Sequence, residues 1–368
     1  MSNMRMSIHN IEKLVMYSTH RHLVALLFVM LPTLAFAQDF HYSQFYNAPL
    51  HLNPALTGIF RGDIRAMGNY KSQWTDVPVD YKTVTLAVDK KFLKVTDSKG
   101  FFSGGLAFNY DRAGDSRLTW ANLDLNLSYT KVFSPKVIVS IGGKGALVQR
   151  SFDQDNLRYD NQFDEARGFF DPNLATGENF SKDGQIFPDF GIGINLRLQA
   201  KQTDQLVYRN NRRTKLDIGV AIHHIFAPDQ NFYDDVSVPI ERRLSPYAVG
   251  TLQVLPIVDV VAGLTYQNQG SFYDELVGML GGRVWIKNSL SNQISLMAGM
   301  GLRRDKIQDA FWPTFEISYN QWKVGLNYDF NTSQFDIATE NRGGMELSVR
   351  YIIRKVRPLP EFKVCPLI

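Results

Sequence analysis

Along most of this chain, hydrophobic and polar side chains change places at every residue. The clearest run sets Leu123, Leu125, Leu127 and Tyr129 against Asp124, Asn126, Ser128 and Thr130, a period of two that a β-strand turns into one oily and one wet face. The alternation recurs in Val84/Leu86/Val88, Leu106/Phe108/Tyr110, Val137/Val139/Ile141, Phe190/Ile192/Ile194/Leu196 and Leu216/Ile218/Val220/Ile222. It continues in Val258/Val260/Ala262/Leu264/Tyr266, Ile294/Leu296/Ala298/Met300/Leu302, Phe315/Ile317/Tyr319, Trp322/Val324/Leu326/Tyr328 and Met345/Leu347/Val349/Tyr351. With weaker patterns over 64–74, 247–254 and 276–286, the count reaches about 14 strands of roughly nine to twelve residues, the length a tilted strand needs to cross a bilayer.

These strands predict an all-β fold, a transmembrane antiparallel β-barrel. Hydrocarbon offers the backbone no hydrogen-bond partner, so an open sheet edge is excluded and an even set of strands must close. No stretch after Gln38 approaches the roughly 20 apolar residues of a spanning helix. Placing the apolar faces toward lipid puts Asp124, Asn126, Asp217, His223, Asp259, Gln267 and Arg283 in the lumen, with Gly143, Gly145, Gly219, Gly263 and Gly281 expected on the same inner face. If the first strand runs outward from the periplasm, the links 131–136, 255–257, 287–292 and the one near Gln321 are periplasmic and short. Those at 149–187, 225–244, 304–312 and 332–343 are extracellular and longer, as in bacterial barrels. The links 91–101 and 199–213 break this rule.

The ends of the chain divide the rest. Arg21 and His22 precede an apolar run from Leu23 to Phe36 that ends Ala35-Phe36-Ala37, the pattern of a secretory signal peptide cleaved before Gln38. The organisation is therefore a signal peptide over 1–37, a segment over 38–63, the barrel over 64–353 and a periplasmic tail over 354–368. Pro49, Pro54 and Gly58 deny the second segment any long regular element, while its apolar residues deny it the character of a free tail. It is expected to enter or plug the barrel.

Charge and candidate chemistry exclude more than they add. The formal net charge of +4 is too small and scattered for a nucleic-acid surface. Cys365 is the only cysteine, so neither an intrachain disulfide nor a cysteine metal cluster is available. His223 and His224 are adjacent on a strand and should point to opposite faces, which removes a shared metal. Gly142-Gly143-Lys144-Gly145 lacks the spacing and the Ser or Thr of a phosphate loop, and Asp153-Gln154-Asp155-Asn156 lacks the glycine and terminal Glu of a calcium loop. No nucleophile motif is present, so no catalytic, cofactor-binding or metal residue is assigned and the protein is expected not to be an enzyme. The 149–187 segment mixes Asp153, Asp155, Asp160, Asp164, Glu165 and Asp171 with Phe152, Tyr159, Phe163, Phe169 and Phe170. That composition suits a loop folded over the barrel mouth, or a partner site.

The most distinctive residues lie early in the mature chain: Ser43-Gln44, Leu52-Asn53-Pro54-Ala55, Gly58, Arg61-Gly62-Asp63, Arg65, Tyr70 and Gln73-Trp74. In these the chain resembles the PorP/SprF family, outer-membrane components of the type IX secretion system of Bacteroidetes. The resemblance implies a non-enzymatic outer-membrane barrel that assists secretion or surface attachment of large adhesins, as in gliding motility. Its implied partners are the type IX machinery, a secreted adhesin with a type IX C-terminal signal, and outer-membrane lipid. The residues it marks for a structural and interaction role are Asn53, Pro54, Gly58, Arg61, Gly62, Asp63, Gln73 and Trp74; for Arg61 and Asp63 a local ion pair is the competing reading. Asn53-Pro54-Ala55 is also similar to an element in the plug of FadL-like channels, which keeps a channel for hydrophobic or small solutes as the alternative.

Overall fold

A computed structural model describes residues 39–73, 81–95, 99–154, 157–164, 167–200, 212–233, 237–271, 273–288, 292–305, 310–332 and 342–354. The expected signal peptide, Gln38, Trp74, Asp155, Glu165, Cys365 and all but the first residue of the expected tail lie outside the described residues. Numbering the barrel strands alone, the first seven are β1 (Ile64–Gln73), β2 (Tyr81–Val95), β3 (Gly100–Ala113), β4 (Leu118–Ser134), β5 (Val137–Ser151), β6 (Gly184–Gln199) and β7 (Lys215–His223). The other seven are β8 (Arg243–Leu255), β9 (Val258–Gln269), β10 (Tyr273–Asn288), β11 (Gln293–Asp305), β12 (Ala310–Tyr319), β13 (Trp322–Asn331) and β14 (Arg342–Ile353). Each pairs antiparallel with its sequence neighbours, and β1 closes on β14 with Ile64 opposite Ile353.

Closure leaves no edge, so the backbone polar groups of the wall satisfy one another as the bilayer demands. The side chains sort as the alternation predicts. On β4, Leu123, Leu125 and Leu127 are more than half exposed while Asp124 and Asn126 are buried at 3% and 0%. A one-residue slip would invert both sets and turn carboxylates into lipid, so the register is strongly specified. Asp217, His223, Asp259 and Gln267 are likewise buried, and Arg283 points inward to Glu316. Gly219, Gly263 and Gly281 share that inner face, but Gly143 and Gly145 do not. They fall in the parity of the exposed Ile141 and Leu147, and Gly142 is the glycine that faces the lumen.

The connections also differ from expectation at one place. Strand β2 runs on to Val95 because a bulge between Lys91 and Leu93 lets pairing with β3 continue, so most of the apparently long 91–101 link belongs to the two strands and only 96–99 lie between them. At the other end of the barrel, the loop after β5 carries a small hairpin, Phe163–Asp164 with Phe169–Phe170. That loop leans on the one after β7: Phe152 meets the rings of Phe180 and Phe232 at 4.9 and 4.5 Å, and the Tyr233 hydroxyl donates to Glu178 at 2.7 Å. This bond pushes the Tyr233 pKa up to about 12. Ile240 reaches down to pack with Ala146, Val148 and Phe187. Self-packing of the loops is thus what the structure contains.

Candidate functional site

The lumen is occupied. Before β1 the chain forms a turn of 3-10 helix at Phe45–Asn47, one α-helical turn at Pro49–Leu52 and a second 3-10 turn at Pro54–Leu56. From Tyr42 to Phe60 almost every residue of this segment is buried. Phe45, Leu52, Leu56 and Ile59 join Tyr247, Val261, Val277, Met279, Met297 and Trp312 of the wall in one apolar cluster. The segment therefore supplies four of the ten residues of a hydrophobic core whose other six stand on the inner face of β8–β12.

Irregular backbone enclosed in this way needs a partner for each polar group, and the inner wall provides them in two tiers. Toward the end of the barrel that carries the loops after β5 and β7, the amides of Ser43 and Gln44 donate to the two oxygens of Glu346, both at 2.8 Å. Ser43 Oγ donates to Asp329 at 2.7 Å, and Gln44 Nε2 donates to Asn327 at 2.5 Å. Asn47 donates to Glu316 at 3.0 Å and accepts from Lys323 at 3.0 Å. Lys323 and Arg283 in turn hold Glu316 at 2.6 and 3.3 Å, and Arg303 holds Asp329 at 2.9 Å. Glu316 and Asp329 thus meet opposite charges, the condition under which burial of ions is tolerated, while Glu346 is held by neutral backbone amides. His41 sits beside this tier, 3.6 Å from Glu275. Burial, reinforced by the cations Lys71 and Arg303, drives its pKa well below the usual histidine range, so it is neutral despite the carboxylate.

Toward the opposite end, where short turns join β4 to β5 and β12 to β13, the second tier is built on Asn53. Its Nδ2 donates to the carbonyls of Ile194 and Val220 at 3.1 and 3.2 Å and to the Tyr247 hydroxyl at 3.3 Å. Its Oδ1 accepts from the Ala55 amide at 2.7 Å, capping the short helical turn as Asn does at an N-terminus. Ser140 and Ser128 donate to the carbonyls of Ala55 and Thr57 at 2.7 and 2.8 Å. Asp89 receives the Gly58 amide at 2.7 Å and a bidentate Arg65 at 2.9 and 2.7 Å, while Arg65 also donates to the Leu56 carbonyl at 3.1 Å. Arg197, paired to Asp217, donates to Ile59 at 3.3 Å.

The fit is steric as well as polar. A Cβ on Gly142 would stand 2.5 Å from the Pro54 carbonyl group, and one on Gly193 would stand 2.1 Å from Asn53 Oδ1. Gly58 has φ +76°, a left-handed turn that glycine adopts without penalty, and a Cβ there would strike Ser103 at 2.0 Å.

Of the residues singled out from the sequence, Asn53, Pro54 and Gly58 come together in the second tier. Gly62 and Asp63 lie at the entry to β1, where the Asp63 amide donates to Ile353 at 2.9 Å. Arg61 is exposed beside them, and Gln73 is buried at the far end of β1, opposite Gly344. The expectation that His223 and His224 diverge is corrected. His224 has φ +55°, which ends the strand by turning inward, so both rings are buried with centroids 6.4 Å apart. Among the described residues there is no group of three or more ligands that would hold a metal.

Sequence reasoning did not single out the wall side of the site: Asp89, Tyr247, Glu316, Lys323 and Glu346. Each stands on the polar face of an alternating strand, which marks it as lumenal but not as a partner of the segment. The inward glycines were the available signal, since a lumenal position without a side chain marks where another backbone approaches.

The sequence profile of a family described as "Type IX secretion system membrane protein PorP/SprF" matches residues 34–351. No curated protein matches the chain. Among solved structures, the CymD monoaromatic hydrocarbon channel is similar over 84% of this chain and 93% of its own at 11% identity and a TM-score of 0.46. The toluene transporter TodX of P. putida is similar over 84% and 95% at 12% identity and a TM-score of 0.46. OprB of Pseudomonas putida is similar over 79% and 93% at 8% identity and a TM-score of 0.40.

Proposed function

Because this chain belongs to the PorP/SprF family of type IX secretion system membrane proteins, we propose that it is a non-enzymatic accessory barrel of that machinery, which assists the secretion of large adhesins carrying a type IX C-terminal signal or holds them at the cell surface. The observation that carries this reading is the family match across residues 34–351 of an outer-membrane barrel. The filled lumen supports a role in docking over one as a conduit, since the apolar cluster around Phe45, Leu52 and Trp312 would have to be dismantled before anything could pass. Machinery and client then meet the protein at its two ends: the periplasmic turns, and the packed loops after β5 and β7.

Deletion of the gene should leave the client adhesin inside the cell or free in the medium, with restoration on complementation. Unchanged surface display of every type IX client would remove the reading. The alternative, a channel for hydrophobic or small solutes, requires the 40–62 segment to leave the lumen. Purified protein in planar bilayers is expected to stay closed, and steady conductance by the unmodified barrel would favour the alternative.

A further inference from the structure

The outer wall of this barrel is dented. Across β3–β7 the lipid-facing surface holds a depression of about 650 Å³ lined by Phe102, Leu127, Tyr129, Ile141, Ile192 and Ile222, among others. Its cause is a register row in which Lys90, Gly104, Leu127, Gly143, Ile192 and Ile222 lie side by side. Gly104 and Gly143 present no side chain where their neighbours project large ones, and Phe92 lies over Gly104.

Two features identify the occupant. First, the depression lies within the belt of exposed Leu, Ile and Phe that faces the membrane, so hydrocarbon is its immediate surrounding. Second, the row rises from the periplasmic rim: Lys90 is opposite Ile64, the first residue of β1, and Lys131 is opposite Gly100, the first residue of β3. Both lysines are exposed, and Lys131 lies 5.1 Å over the ring of Phe133. Among the described residues neither is paired with a carboxylate. Neither lysine lines the depression itself: Lys90 ends its glycine row and Lys131 stands four residues further toward the rim. An apolar slot with exposed cations on its rim side matches an acyl chain joined to an anionic headgroup.

We propose that this depression is a specific site for one anionic phospholipid of the periplasmic leaflet, with an acyl chain lying in the slot over Gly143 and the phosphate held by Lys90 and Lys131. The site is on the opposite side of the wall from the lumenal segment and does not depend on the secretory role. It would fix the lipid neighbour of β3–β7 and leave the rest of the wall unselective.

The test uses the full processed barrel in nanodiscs of mixed phosphatidylglycerol and phosphatidylcholine, released into detergent and weighed by native mass spectrometry. The wild type should retain one phosphatidylglycerol. Gly143→Leu fills the slot from the lipid side and should lose it; a Cβ there meets only Gly191 O at 3.9 Å, so the barrel is not disturbed, which heat-modifiable gel mobility checks. The double variant Lys90→Gln, Lys131→Gln should still retain a lipid but no longer prefer phosphatidylglycerol. Equal retention by wild type and Gly143→Leu, no retention by either, or an unchanged headgroup preference in the double variant would each overturn the proposal.

Discussion

Replacing Asn53 by Ala should unseat the lumenal segment while leaving the barrel closed. The side chain is fully buried and faces four partners: the two N–H groups of Nδ2 are shared among the Ile194 and Val220 carbonyls and the Tyr247 hydroxyl, and Oδ1 accepts from the Ala55 amide. A neutral buried bond nets about 1 kcal/mol, and an amide left buried without its acceptor adds roughly 1–3 kcal/mol. The Ile194 and Val220 carbonyls belong to the wall and retain their own surroundings, so a full sum over four partners overstates the loss. A value of about 3 kcal/mol corresponds to a shift of roughly 100-fold in the equilibrium between seated and unseated segment. The readout is limited proteolysis of detergent-solubilised protein, with cleavage mapped within 40–62 and the barrel followed by heat-modifiable mobility. Asn53→Asp serves as the sharper companion, because it keeps the acceptor for Ala55 but turns an oxygen toward two carbonyls. Wild-type protection in both variants would refute the claim that polar anchorage, and not the apolar cluster alone, holds the segment.

Three further outcomes follow from the same geometry. Asp89→Ala strands a buried Arg65 and should cost about 3–5 kcal/mol, seen as a lower urea midpoint; a midpoint within error of the wild type would contradict the assignment. Gly142→Val should expose the segment to protease, whereas Gly143→Leu, one residue away on the other face, should not; equal behaviour would mean that the glycine parity is wrong. His41 is held neutral with its pKa below the ordinary value near 6.5, so the state in which the segment is released takes up the proton first. Seating is therefore at full strength above about pH 6.5 and weakens as pH falls below it. His41→Gln should flatten that part of the pH profile of segment protection, and an unaltered acid dependence would assign it to another group.

The wall was legible because a bilayer outside and polar partners inside impose opposite demands on alternate residues; Leu123 to Thr130 state the result in eight positions. All fourteen strands could be placed from that rule, including the weak ones near Ile64 and Leu276. It failed where a second surface competed with lipid. At Gly142 to Gly145 every small residue looks lumenal, and only the parity set by Ile141 and Leu147 tells that Gly143 and Gly145 face outward. At His223-His224 the strand rule assumed extended backbone, and a left-handed residue at the strand end defeated it. The wall partners of the segment were illegible for another reason. Pairing Asn53 with Tyr247, or Ser43 with Glu346, depends on which strands face each other across the lumen, and a local pattern carries no information about that.

The Ser43 and Gln44 amides find their acceptor on Glu346, some three hundred residues later, and β1 finds its second neighbour only in β14. Biogenesis is thereby ordered. While the polypeptide is still arriving at the outer membrane, the Ser43–Gln44 end of this stretch has no Glu346 to grip until the C-terminal hairpin has been delivered, although Asp89 and the Asn53 partners on β6–β8 come earlier. Contacts this remote are slow to form, so ring closure and settling of the Ser43–Gln44 end should behave as one late event, and a truncation that removes β14 should leave both undone.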